Sequence, residues 1–154
     1  MVTLSNHAIL FVASAFLFQA VLIVHFALRK WRFDTAMRYG PIVYALCVPA
    51  AAVSALLILL GKSWAFWSAG FTYLIWAAFG YTVDFAWRIQ WRSPIRWPIF
   101  GPYVGLYLAA VLFYWWPLAL ISNALWYAYA VLFIASTLLN VTSHNPGAKR
   151  TQAE

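Results

Sequence analysis

The sequence predicts an all-α integral membrane protein, built as a bundle of five transmembrane helices. Two observations lead to this prediction. Of the 154 residues, 66% are hydrophobic and 8% are charged, whereas charged residues make up roughly 25% of a typical soluble domain. The hydrophobic residues also fall in long runs separated by short basic gaps. A chain of this length cannot bury so much apolar surface in its own core, so lipid is expected to cover the rest.

Five apolar runs are each long enough to cross about 30 Å of hydrocarbon at a helical rise of about 1.5 Å per residue. They lie at residues 8 to 28, 41 to 61, 64 to 87, 98 to 116 and 118 to 140. Residues 1 to 143 are therefore expected to form one transmembrane domain, and residues 144 to 154 a polar cytoplasmic tail. The first run is followed by Arg29, Lys30 and Arg32, which is the order of a stop-transfer segment rather than of a cleaved signal.

Prolines and a change of composition mark the predicted ends of the spans. The uncharged stretch from 98 to 140 would measure roughly 65 Å as one helix, about twice a bilayer core, so a turn is expected within "YWWPLALISN". Pro41 and Pro98 are predicted at the first turns of their helices, where the missing N–H does no harm. Pro49 lies inside the second span beside "AAAVSA", where a kink and a close helix contact are expected.

The basic residues predict the orientation of the chain. Nine of the ten lie in the gaps after the first and third spans and in the tail, and Lys62 alone lies in the gap after the second span. The positive-inside rule then gives an N-terminus outside and a cytoplasmic C-terminus. We expect a multi-pass protein of a bacterial inner (plasma) membrane, with anionic lipids at its cytoplasmic face. Because this placement accounts for the net charge of +7, nucleic acid is not an expected partner.

Asp84 is the sharpest functional candidate, because an acid within a span is costly and needs a partner or a task. Arg88 follows four residues later, which is the favourable order for a helical ion pair. Trp76 and Gly80 precede the acid at the same spacing and place it on a face directed at the bundle. A structural ion pair is the favoured interpretation, and a proton, ion or ligand site is the alternative.

Histidines offer a second candidate near the same level. His25 ends the first span, and the tail residue His144 can return to that depth. A neutral histidine near Asp84 could relay a proton, since its pKa lies close to neutrality; the alternative is an interfacial histidine bonded to water or to a headgroup. Histidine and cysteine spacing predicts no zinc site, and a haem held by His25 and His144 is a disfavoured alternative. The sequence does not indicate which cofactor, if any, the protein binds.

Aromatic residues make up 20% of the chain and include ten tryptophans. Most tryptophans fall at predicted interfaces, as in other membrane proteins, and Trp91 is counted among these. Other aromatic residues, and one asparagine, lie within or next to the spans and could line a pocket for a planar or lipidic ligand. Packing in the core between helices is the alternative. The candidate pocket residues are Tyr73, Trp76, Tyr81, Asn123, Trp126 and Tyr129.

Small and hydroxyl residues indicate helix-packing faces. Gly101 and Gly105 have the GxxxG spacing that allows close helix approach, and Gly80 is a further packing candidate. In the fifth span Ser122, Tyr129 and Ser136 repeat at intervals of seven. Such a repeat predicts a helix-packing face that can form hydrogen bonds.

In size, number of spans and tryptophan content the chain resembles the translocator proteins that bind porphyrins and sterols. That family's proline-rich loop motif is not found here, so the resemblance assigns no residue a role. No lysine lies within a span, which excludes a retinal Schiff base, and no P-loop, HExxH or Ser/His/Asp set is present.

Three classes of function remain. The favoured class is a small non-catalytic membrane protein, either an accessory subunit of a larger complex or a binder of a hydrophobic or aromatic ligand. The second is a small oligomeric transporter or channel that uses Asp84, Arg88 and His25 near the cytoplasmic mouth. The third is a membrane-embedded enzyme, disfavoured because the chain has three acids. A homo- or hetero-oligomer is expected in each case.

Overall fold

A computed structural model describes residues 5 to 91 and 94 to 143. The predicted polar tail at 144 to 154, with His144, and the loop residue Arg92 lie outside the described residues. The elements are α1 (Asn6–Trp31), α2 (Phe33–Ala45), α3 (Cys47–Leu59), α4 (Trp64–Tyr81), a π-helical turn (Thr82–Ala86), α5 (Trp97–Ile121) and α6 (Asn123–Ser143). The prediction of an all-helical fold is confirmed.

The helices have the length and composition of membrane spans. Four are long and apolar enough to cross a membrane: α1, the α2–α3 unit from Phe33 to Leu59, α5 and α6. The central helix α4 has 18 residues and is extended by the five-residue π turn, so together they reach about 30 Å. Tryptophan, tyrosine and glycine make α4 less hydropathic than the others. The chain thus has four to five helices suited to a multi-pass membrane protein.

One predicted gap, the loop at 29 to 39 between the first two spans, is shorter than expected. The predicted loop at 29 to 39 is wrong, because α1 continues to Trp31 and α2 begins at Phe33 after Arg32 alone. An acid in the first turn of α2, Asp34, favours this early start, since it interacts with the positive end of the helix dipole. As a result Pro41 lies inside α2 and not in its first turn.

The turn between the last two spans lies near the end of the stretch predicted for it. Helix α5 begins with Pro98 in its first turn, as predicted, and continues through Pro117 to Ile121. The chain becomes extended at Ser122, and α6 begins at the next residue. The turn therefore lies within the predicted stretch "YWWPLALISN", about five residues after the predicted boundary between the two spans at 117.

The predicted kink at Pro49 is confirmed as a break between α2 and α3 at Leu46. Proline has no N–H to donate, and its ring clashes with the carbonyl four residues earlier, which here belongs to Ala45. Just before the break, the Val43 carbonyl accepts a hydrogen bond from the Tyr73 hydroxyl at 2.9 Å. Beyond the break, α3 packs mainly against α4.

The contact between α3 and α4 is very close at Gly70. A Cβ atom built on Gly70 would overlap the Ser54 hydroxyl and the Ala50 carbonyl, so only glycine fits there. The glycines of the GxxxG pair behave differently: Gly101 and Gly105 have nothing within 4 Å of such an atom. The contact predicted for that pair is therefore not formed within the described bundle, and both glycines lie on its outer surface.

Aromatic rings fill the centre of the bundle. Trp76 is 1% exposed, and its ring lies within 6.4 Å, centroid to centroid, of five others: Phe18, Tyr44, Tyr73, Tyr103 and Tyr107. These rings come from α1, α2, α4 and α5. Trp76 and Tyr73 are therefore core residues packed between helices.

Gly70→Ala is expected to destabilise the bundle, because the added methyl group would overlap the Ala50 carbonyl and the Ser54 hydroxyl. Overpacking of this kind costs roughly 1 to 3 kcal/mol, which would lower the midpoint of thermal unfolding in detergent. Gly105→Ala is the matched control and should leave the midpoint unchanged or raise it, since its methyl group meets open space. Equal losses for the two variants would contradict the close α3–α4 contact.

Candidate functional site

Asp84 lies in the π-helical turn that ends the α4 segment. The Trp87 N–H donates to the Thr82 carbonyl at 2.8 Å, a bond across five residues, and the Ile89 N–H donates to the Val83 carbonyl at 2.9 Å. Such a turn contains one residue more than an α-helical turn, so the side chains after it leave the α-helical spacing. Turns of this type are frequent at functional sites.

The Asp84 carboxylate accepts hydrogen bonds on both oxygens. The Tyr44 hydroxyl donates to Oδ2 at 3.1 Å, and the Trp91 indole Nε1 donates to Oδ1 at 2.8 Å. The Tyr44 hydroxyl also lies 3.4 Å from the hydroxyl of Tyr103. These four residues, called the Asp84 cluster, join α2, the π turn, the segment before α5 and α5 itself.

Gly80 makes room for the Asp84 cluster. A Cβ atom on this glycine would lie 2.7 Å from Tyr44 Cε1 and 2.9 Å from the Tyr44 hydroxyl, so glycine lets the tyrosine cross the helix at that level. Tyr44, Trp91 and Tyr103 are all buried. The predicted belt position of Trp91 is therefore wrong, because its ring packs on Tyr103 at 4.9 Å, inside the bundle.

The predicted ion pair between Asp84 and Arg88 is not formed between these described residues. A pair at this spacing needs a continuous α-helix, whereas α4 ends at Tyr81 and Arg88 has a left-handed φ of 51°. The Arg88 side chain is exposed. The observed donors to the carboxylate include a phenol and an indole in place of this guanidinium.

His25 borders the Asp84 cluster. It is buried in α1, with its ring centroid 6.5 Å from that of Tyr44. Since the Tyr44 hydroxyl donates to Asp84, this tyrosine connects the histidine to the acid. The structure thus brings together Asp84, His25 and Gly80, and the proton relay between the histidine and the acid stays a prediction.

A second polar contact fastens α6 to α1 near the same end of the bundle. Arg29, which the sequence places in a loop, lies in α1 and is 7% exposed. Its guanidinium donates to Asn140 Oδ1 at 2.6 Å and to Ser143 Oγ at 2.7 Å, and it lies 5.0 Å from the centre of the Phe26 ring. Arg29 follows Phe26 by three residues, so both lie on one face of α1. This spacing is the signal in the sequence that could have identified the buried face.

The inner face of α6 is polar. Its buried residues are Tyr129, Ser136 and Ser143, which repeat at intervals of seven. Ser136 Oγ donates to the Phe133 carbonyl at 2.9 Å and lies 3.5 Å from the Tyr107 hydroxyl. Ser122, the earlier member of the predicted repeat, lies in the turn before α6.

A buried polar group that the sequence reasoning missed lies between α1 and α6. Gln19 and Tyr129 are each 0% exposed and lie next to each other. Neither polar atom of the Gln19 amide, nor the Tyr129 hydroxyl, forms a hydrogen bond of standard length and angle among the described residues, although the amide and the hydroxyl lie close enough to interact. The signal in the sequence is one glutamine within the apolar run "AFLFQAVL".

The other candidate pocket residues lie apart from the Asp84 carboxylate. The exposed Tyr81 stacks on Phe85 at 5.8 Å. Trp126 stacks on Trp115 at 4.9 Å and accepts a hydrogen bond from its indole through the backbone carbonyl, at 3.0 Å. Asn123 is exposed at the start of α6. Trp126 and Asn123 thus belong to the α5–α6 turn.

An apolar groove runs along the outside of the bundle between α1 and the kinked α2–α3 unit. It consists of two adjacent crevices of about 190 Å³ and 260 Å³. Val21 and Leu46 line both crevices. On α1 the lining extends from Leu10 to Val24, a length of about 21 Å. We call this feature the α1–α3 groove.

Comparison with protein-family models, with curated proteins and with solved structures finds no match to this chain.

Asp84→Ala is expected to destabilise the protein, because it removes the acceptor of both the Tyr44 hydroxyl and the Trp91 indole. The loss of an acceptor by a buried donor costs about 1 to 3 kcal/mol, which thermal unfolding in detergent would register as a lower midpoint. Arg88→Ala is the control and should change stability by less than about 0.5 kcal/mol, as is usual at exposed positions. A larger loss of stability in Arg88→Ala would contradict this prediction and support an ion pair between Asp84 and Arg88.

Gln19→Met is expected to leave stability unchanged or to raise it. The substitution keeps the volume but removes a buried amide that forms no hydrogen bond of standard geometry among the described residues, and replacing such a group with an apolar one of similar shape is neutral or stabilising. Gln90→Met, at an exposed position, controls for the general effect of the substitution on the unfolding midpoint. A marked loss in the Gln19 variant alone would mean that the amide is hydrogen-bonded in the membrane.

Proposed function

We propose that the protein is a small non-catalytic membrane protein that binds an apolar, lipid-like ligand in the α1–α3 groove. The observation that carries the proposal is an apolar groove on the outer surface of a bundle whose centre is closed. The rim residues Leu17 and Val24 are 56% and 57% exposed, so a ligand can enter sideways from the bilayer. No movement of the core is needed.

The walls of the groove favour an apolar ligand. Its hydroxyl groups are already engaged: Ser14 bonds to the Tyr114 hydroxyl at 3.0 Å, and Tyr73 donates to the Val43 carbonyl at 2.9 Å. The remaining lining side chains are aliphatic, apart from the ring of Phe18. Contact with a ligand would therefore come from dispersion and from hydrophobic burial.

The shape of the groove favours a chain over a broad planar molecule. Each crevice is smaller than the roughly 300 to 1,000 Å³ that is usual for pockets holding drug-sized ligands. Together they extend over about 21 Å of α1, which is more than half the thickness of a bilayer core. A long, narrow occupant such as an acyl or isoprenoid chain fits these dimensions.

The packed centre of the bundle disfavours the transporter alternative. A path through a single chain would have to pass the rings around Trp76, which is 1% exposed and contacts rings from four segments. The proposal includes the predicted orientation, with the N-terminus outside and the C-terminus in the cytoplasm of a bacterial cell. It is supported by the nine-to-one division of the basic residues.

One observation favours the second candidate, an accessory subunit of a membrane complex. Only 11% of the membrane-spanning window of α6 is buried. Its most exposed large side chains alternate at spacings of four and three, which is typical of helices that pair with another helix: Tyr127, Val131, Ile134, Leu138 and Val141. This face would contact the partner chain, which leaves the α1–α3 groove open.

Native mass spectrometry of protein extracted in a mild detergent tests the proposal. The wild type is expected to retain a lipid-like mass, and Val21→Trp is expected to lose it, because the indole would fill the part of the groove common to both crevices. Ile75→Trp, at a position 56% exposed on α4, is the control and should retain the ligand. Retention by the Val21 variant would overturn the groove as the binding site.

A further inference from the structure

The α1–α3 groove points towards the basic end of the bundle, where the short connection at Arg32 joins α1 to α2. Val24 lines the groove on α1, and Trp31 lies seven residues later; Leu46 lines it on α2–α3, and Tyr39 lies seven residues earlier. Residues seven apart lie on nearly the same face of a helix, two turns from each other. Trp31 and Tyr39 therefore continue the two walls of the groove, about 10 Å beyond its apolar part.

Each of these two rings carries a cation. Lys30 Nζ lies 5.5 Å from the centre of the Trp31 ring, and the Arg38 guanidinium lies 5.9 Å from that of Tyr39. Both rings are well exposed, at 64% and 48%, and exposed tryptophan and tyrosine are typical of the headgroup level of a membrane. The two cations are thus at the height where the phosphate of a lipid would lie when its chain occupies the groove.

The local charge favours an anion. The connection between the helices adds Arg32, and the acid nearby is Asp34 in the first turn of α2. Arg29 is buried against α6, away from the groove. With three exposed or half-exposed basic residues against one acid, this end of the groove keeps a positive charge.

We infer that the ligand is an anionic phospholipid whose acyl chain lies in the α1–α3 groove and whose phosphate is held by Lys30 and Arg38. This inference rests on the proposed function, because it requires the groove to bind a chain. It adds that the headgroup is recognised by its charge. A basic residue near a membrane surface contributes about a fivefold gain in affinity for anionic lipid, so two together contribute about thirtyfold.

The test compares phosphatidylglycerol with phosphatidylcholine of the same acyl chains, added to delipidated protein and measured by native mass spectrometry. The wild type is expected to prefer phosphatidylglycerol by about thirtyfold. Lys30→Gln combined with Arg38→Gln should abolish this preference and still bind both lipids through the groove. Arg96→Gln, an exposed basic residue before α5, lowers the net charge at another place and should keep most of the preference.

The outcomes separate this inference from the proposed function. Equal binding of the two lipids by the wild type, both lost in Val21→Trp, would overturn the headgroup site and leave the groove standing. A preference that falls equally in Arg96→Gln and in each single variant, Lys30→Gln and Arg38→Gln, would also overturn it, since the effect would then come from net charge. Binding that survives Val21→Trp would overturn the groove itself.

Discussion

Pro49 has no N–H to donate to the carbonyl of Ala45, and much of the architecture depends on that missing hydrogen bond. The α2–α3 unit breaks at Leu46 because the proline ring cannot follow a straight helix. Beyond the break, α3 turns to α4 and fits against Gly70 through Ala50 and Ser54. The space between α1 and α3 is left open to the outside as the α1–α3 groove.

The central helix α4 links the other helices of the bundle through contacts at its middle and at its end. At its middle Trp76 contacts rings of α1, α2 and α5, and at its end the π turn presents Asp84 to Tyr44 and Trp91. In a surrounding without water, a carboxylate is stable only when hydrogen-bond donors are gathered around it. The Asp84 cluster therefore stabilises the basic end of the bundle, because its hydrogen bonds link α2, the π turn and the segment before α5.

The sequence predicts the parts of this fold that depend on composition and on single strong residues. Long apolar runs give the helices, Pro49 gives the kink, and Pro98 gives the start of α5. The sequence also singles out Asp84, because an acid in an apolar run must find hydrogen-bond donors. Residue spacing alone could not reveal the donors themselves, since Tyr44 is 40 and Trp91 seven residues away.

Local irregularities account for most of the differences. The π turn and the left-handed Arg88 break the regular spacing on which the predicted ion pair depended, and they fold Trp91 into the interior. The sequence predicts Arg29 in a loop, because charge usually marks the end of a span. Its burial depends on Asn140 and Ser143, more than 100 residues later. Gln19 gives little signal in the sequence, because one amide hardly changes the hydropathy of its span.

The polar inner face of α6 has a consequence for how the chain is made. Because α6 follows the other helices in the sequence, it enters the membrane after them and meets a surface that offers Arg29, Gln19 and Tyr107. Shape alone would let an apolar helix slide along that surface, whereas Tyr129, Ser136 and Ser143 must each come level with a polar neighbour. The order of synthesis and the position of three side chains thus determine the register in which the last helix joins the others.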